Sequence, residues 1–162
     1  MATESNSPST RPFTTFNFVV LIAVTGVTSS NTQLCSASFS ECDGLEMTME
    51  PKTIRAGGRN WGPVHLAGPV SYGQLTLKRG MTNSFDLWKW FEKVAATGGS
   101  GYRTSAQVVL RASDHSDLAV FQLTGCLPVK LKAPALNAKD GLVAIEEMQI
   151  AYESLWLQGS NS

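Results

Sequence analysis

The chain has 162 residues and a mass of 17.4 kDa, which bounds it to one domain with at most a flexible arm. Thirteen Lys plus Arg balance thirteen Asp plus Glu, and charged residues make up only 16% of the chain, against roughly 25% in ordinary soluble domains. Neutrality with an isoelectric point near 6.7 excludes a strongly basic nucleic-acid surface and an acidic tail, and it favours association between copies.

Residues 1–12 are rich in Ser, Thr, Pro and Asn and read as a flexible N-terminal arm before a domain over 13–158, with residues 159–162 a flexible C-terminus. The apolar run at residues 16–27 follows Arg11 and has the outline of a secretory leader. Its period-two pattern and β-branched content read better as a strand over 16–25, and it is too short for a membrane helix, which needs about 18 to 20 apolar residues. Both faces of this strand are apolar: Phe16, Phe18, Val20, Ile22 and Val24 on one, Val19, Leu21 and Ala23 on the other. Further strands are expected at 34–40, 45–54, 72–79, 104–112, 118–125, 129–131 and 142–152. Turn signals stand at residues 26, 42–44, 114–117, 125–128 and 140–141.

One helix is expected over 85–97, with Ser84 as N-cap, Asp86 in the first turn facing the positive end of the helix dipole, and Gly98-Gly99 as its stop. Leu87, Trp88, Phe91, Val94 and Ala95 form an apolar stripe at helical spacing, which reads as the plug of a β-barrel or sandwich. Residues 55–71 read as a loop, unusually long and apolar, with Trp61, Val64, Leu66 and Val70 available to a neighbour. The last strand is also apolar on both faces, Val143 and Ile145 against Met148, Ile150 and Tyr152. Either a bulge near Glu146-Glu147 shifts its register or both faces are covered.

Chemistry-bearing clusters are sparse. Asp114-His115-Ser116-Asp117 brings triad residue types together in one turn, whereas a triad needs them converging from separate elements. His65, His115 and the cysteines lack ligand-pair spacing, so no metal is expected. The glycine clusters match no phosphate-binding motif, so no cofactor is expected, and Glu146-Glu147 point to opposite faces of a strand. Cys35, Cys42 and Cys126 read as free, reduced thiols, although spacing leaves a Cys35–Cys42 bridge open, and reduced thiols place synthesis in the cytoplasm.

The residues at 71–94 (SYGQLTLKRGMTNSFDLWKWFEKV) and 125–155 (GCLPVKLKAPALNAKDGLVAIEEMQIAYESL) resemble the tail tube protein family of contractile phages and phage-derived contractile injection systems. The likeness lies in LKRG followed by a helix with LWxWF, then a PVK segment and a final IE strand. Upstream, FSECDGLEMTMEP and IRAGGRN resemble the family's strand-turn-strand and its Gly-Gly loop. The resemblance spans residues 16–157, with Cys126 and Glu153-Ser154-Leu155 as small departures that leave phage virion, extracellular particle and cell-anchored machine open as settings.

The fold this resemblance implies is mainly β: a barrel or sandwich of about eight strands with one flanking helix, similar to the hemolysin-coregulated protein of type VI secretion. It implies a non-enzymatic subunit whose six-membered rings stack into a hollow tube inside a sheath, with sheath, baseplate and spike proteins as partners and cargo in the lumen. On that model the candidate self-assembly residues are Arg55, Gly57, Gly58, Trp61, Val64 and Leu66 in the long loop, with Lys78, Arg79 and Glu146 as polar contacts. The alternative is a lipocalin-like small-molecule carrier, which predicts a monomer with an apolar interior cavity.

Overall fold

In a computed structural model the described residues are 17–25, 32–37, 39–55, 57–58, 61–98, 103–139 and 141–159. The expected flexible segment 1–12 lies outside them, as do residues 160–162 of the expected C-terminal tail. Among the described residues twelve strands and one helix follow in the order β1 (Phe18–Thr25), β2 (Thr32–Ala37), β3 (Glu41–Asp43), β4 (Met47–Met49), β5 (Lys52–Ile54), β6 (Val64–Leu66), β7 (Val70–Tyr72), β8 (Gln74–Gly80), α1 (Asp86–Thr97), β9 (Arg103–Arg111), β10 (Asp117–Lys132), β11 (Ile145–Ala151) and β12 (Ser154–Gly159). Eight of the strands build the body and four build a projecting arm.

The body is a bent antiparallel sheet folded on itself into two layers. One layer runs β2-β1-β9-β10-β12 and the other β10-β11-β8-β3. The 16-residue β10 belongs to both: residues 119–124 pair with β12 and residues 127–132 with β11. Its register shifts around Gly125 and Pro128, where the strand bends from one layer into the other. The turn expected at 125–128 is therefore a bulge inside one continuous strand, because neighbours on both sides keep its backbone paired.

Cross-strand rows fill the interior. Val20, Val108 and Phe121 stand opposite one another in register, as do Ile22, Ala106, Leu123 and Leu155. Leu75 and Leu77 of β8 and Met148 and Ile150 of β11 meet them from the second layer, all at most 1% exposed. Among the described residues these side chains pack against one another as a single core.

The helix closes the sandwich with Leu87, Trp90 and Val94. The expected stripe is corrected in two places: Trp90 is buried where Ala95 was expected, and Ala95 is exposed. Phe85 occupies the N-cap position, and no side chain caps the helix there; the Ser84 carbonyl instead accepts a hydrogen bond from Arg79 Nη2. Gly98 ends the helix in the left-handed conformation, as its position in the sequence implied.

The last strand also differs from expectation. It begins at Ile145, so Val143 lies outside it, exposed, while Glu146, Met148 and Ile150 face inward. β11 pairs β8 in unbroken register through Glu146 and Glu147, so no bulge sits there. After a turn at Tyr152-Glu153 a further strand, β12, follows, which turn residues alone did not announce.

Candidate functional site: a projecting arm and its buried anchor

Residues 45–72, expected as one strand and one loop, form a two-part antiparallel ribbon. β4 pairs β7 through Met47–Tyr72 and Met49–Val70, and β5 pairs β6 through Lys52–Leu66 and Ile54–Val64. Residues 64–66 and 70–71 of the expected loop are thus strand, because their apolar residues find partners one ribbon width away. Pro51 and Pro69, which donate no backbone hydrogen bond, interrupt the ribbon between its two parts.

The ribbon projects apolar surface. Met47, Met49, Ile54, Leu66 and Val70 are exposed, and Trp61 at the tip is 97% exposed. Val64 is half-buried; Arg55, Gly57 and Gly58 are exposed at the turn, where Gly58 has φ +94°. A monomer seldom leaves so much contiguous apolar surface in water.

The arm's base is tied to the body at Tyr152. Its hydroxyl donates to the Gly44 carbonyl at 2.8 Å and accepts from the Glu46 amide at 3.1 Å, while its ring lies 5.8 Å from that of Tyr72. Gly44 turns the chain from β3 into the arm at φ +90°, and a Cβ there would stand 1.9 Å from the Gln74 carbonyl oxygen. Only glycine satisfies both conditions.

At the far end of β8 from the arm's base lies a buried ionic anchor of the body. Arg79 on β8 is 5% exposed and Glu146 on β11 1%. Arg79 Nε donates to Glu146 Oε1 at 2.5 Å, its terminal nitrogens fork onto both carboxylate oxygens of Asp86, and its guanidinium lies 5.6 Å over the Phe39 ring. Trp88 Nε1 donates to the other oxygen of Glu146 at 3.0 Å. Burial by itself pulls the guanidinium's pKa down, but the hydrogen bonds to Asp86 and Glu146 outweigh it and hold the pKa above its ordinary value. LKRG and DLWKW, near neighbours in sequence, therefore meet the distant IEE in one hydrogen-bonded cluster.

The other candidates fall as follows. Arg79 and Glu146 point into the fold and join β8, β11 and α1, so their side chains serve the body and do not offer an outward contact. Lys78 is at the surface, 3.0 Å from Glu41. His65 is exposed beside Thr53, and residues 114–117 form a turn in which Ser116 bonds Asp114 and Asp117 pairs with Arg111. Cys42 and Cys126 are free thiols, each pushed up to about 12 by burial, and the Cys35 side chain lies outside the described residues. Among the described residues no three His, Cys, Asp or Glu side chains cluster as a metal would need, and no helix is long and apolar enough to cross a membrane. Sequence reasoning missed Tyr152, whose only signal was a lone tyrosine at a strand end.

The fold of this chain recurs in other solved structures. A chain in the 6-fold symmetrised cryo-EM structure of the anti-feeding prophage (AFP) baseplate matches at TM-score 0.76 and 23% identity, covering 92% of this chain and 97% of that one. A chain of the PVC sheath-tube complex, an extracellular contractile injection system in its extended state, matches at TM-score 0.75 and 17% identity, covering 98% and 99%. Hcp1 from Salmonella typhimurium matches at TM-score 0.51 and 11% identity, covering 88% and 86%. No curated protein matches the chain. Residues 14–156 match the model of the T4-like virus tail tube protein gp19, and the chain belongs to that family of structural tail tube proteins. This membership sets aside the lipocalin-like alternative.

Proposed function

We propose that this chain is the repeating subunit of the inner tube of a contractile phage tail or injection particle. Six copies close head to tail into a ring, rings stack into a hollow tube, and a sheath surrounds it; contraction drives the tube and any cargo in its lumen into a target. Closed rotation makes each ring contact heterologous, and open-ended stacking makes the tube. Synthesis and assembly take place in the cytoplasm, with sheath, baseplate and spike proteins as partners.

The observation that carries this reading is the exposed apolar arm on a chain of the tail tube family. Its ribbon reaches an adjacent copy, with Gly57 and Gly58 supplying backbone freedom at the turn and Trp61, Val64 and Leu66 supplying apolar contact. Negative-stain microscopy of concentrated full-length protein is expected to show rings or tubes of about 5 to 10 nm outer diameter, the size of six domains around a channel. Replacing Trp61 with Ala, or deleting residues 60–68, is expected to stop tube growth while the circular dichroism spectrum stays that of a folded β protein. Normal tubes from either variant would remove the arm from the assembly contact.

A further inference from the structure

We propose that Asp43-Gly44, where β3 turns into the arm, is a site of spontaneous backbone modification: the pair closes to a cyclic imide and reopens in part as isoaspartate, which lengthens the chain at the hinge. The chemistry requires a carboxyl, a main-chain nitrogen within reach of it, and water, and all three meet here. The Gly44 amide donates to Asp43 Oδ1 at 2.7 Å. Cγ is one bond beyond that oxygen, which brings the nitrogen close to the roughly 3 to 3.5 Å from which an attack starts. Glycine adds no Cβ to shield the nitrogen, and Asp43 is exposed, so water reaches it.

Ring closure joins the Gly44 nitrogen to Asp43 Cγ. The amide proton passes to solvent, and the carboxyl oxygen leaves, protonated, as water. Water then opens the imide at either of its carbonyls. Attack at Cγ restores aspartate. Attack at the main-chain carbonyl leaves the chain running through Cβ and Cγ, with the α-carboxylate as a side group. The water lost on closure returns on opening, so the net change is an isomerisation that calls for no oxidant or reductant.

The position makes the extra chain atom matter. On one side, Asp43 is held in register opposite Thr76. On the other, the Gly44 carbonyl accepts from the Tyr152 hydroxyl at 2.8 Å, and Gly44 lies so close to the Gln74 carbonyl that even a Cβ would not fit. A longer chain cannot satisfy both fixed points at once. Either the pairing at Asp43 or the tie to Tyr152 gives way, and the arm loses a fixture at its base. The buried anchor at the far end of β8 is not touched, so the body stays folded.

The test incubates the full-length chain in H₂¹⁸O at mildly acidic pH, folded and, in parallel, unfolded in guanidinium chloride. Each passage through the imide places ¹⁸O at residue 43, in aspartate and isoaspartate alike. Mass spectrometry of the peptide carrying residue 43 keeps it apart from Asp140-Gly141, the other such pair in the sequence. Label is expected to enter residue 43 at least as fast in the folded chain as in the unfolded one. Slower entry in the folded chain would show that the fold protects the pair and would overturn the site. Hydrogen exchange then compares chains carrying isoaspartate at residue 43 with unmodified chains. β4 and β7 are expected to exchange about fivefold faster, the effect of one lost hydrogen bond, with β8 and β11 unchanged. Equal rates across β4 and β7, or rates raised throughout the body, would overturn the hinge.

Discussion

Glu146 holds two donors at once, Arg79 Nε and Trp88 Nε1, at 1% exposure. Removing one partner of a buried ion pair leaves the other charge without compensation, at about 3 to 5 kcal/mol. Glu146→Ala is therefore expected to lower stability by that amount in urea unfolding, and a loss under 1 kcal/mol would show that Asp86 alone satisfies Arg79. The buried thiols work through protons. Their raised pKa means that the fold favours the protonated form. That contribution is complete below the ordinary thiol value near 8.5 and is lost as pH climbs toward about 12. At pH 8 the Cys42 and Cys126 peptides are expected to alkylate with iodoacetamide about a hundredfold or more slowly in the folded chain than in denaturant, as mass spectrometry would record. Equal rates would place those thiolates in water. The acidic and basic residue types of the anchor were visible in the sequence, but their meeting was not: Arg79 and Glu146 are 67 positions apart, and strand parity shows only which face each one takes.

At the level of elements, the arm depends on two small fixtures at its base. Tyr152→Phe removes the hydroxyl that bonds Gly44 and Glu46 and is expected to cost about 1 kcal/mol globally. Hydrogen exchange should show the larger effect locally, with faster exchange across β4 and β7 than across β8 and β11. Exchange that rises uniformly would mean that the arm and body open as one unit. Gly44→Ala must move the chain past the Gln74 carbonyl at a positive φ and is expected to cost about 2 kcal/mol, measured by thermal unfolding. The helix and the long strands were legible because their periodicity persists for many residues. The strand expected over 45–54 covers β4 and β5, whereas β6 and β7 were not legible, since so short a run shows no period and only pairing across the ribbon makes it a strand. Trp90 was misassigned for a related reason. On a helix flanked by Trp88 and Phe91, three aromatics compete for one face, and the sandwich end decides which one enters.

For the whole molecule, neutrality is a balance of thirteen charges of each sign. Contacts between copies that pair opposite charges weaken when salt screens them, so the concentration needed for tube growth is expected to rise about threefold or more between roughly 0.05 M and 0.5 M salt. A threshold independent of salt, followed by light scattering, would assign the contact to apolar burial alone. The sequence was sufficient for the β-rich class, the single helix and its stop, the family and the apolar character of residues 55–71, because each is written in composition or in local order. The packed layers, the continuous course of β10, the inward turn of Arg79 and Glu146, and the tie of Tyr152 to the arm's base came from long-range pairing. Which strand lies beside which is fixed by how apolar rows from distant segments fill a shared interior, and no local stretch carries that information.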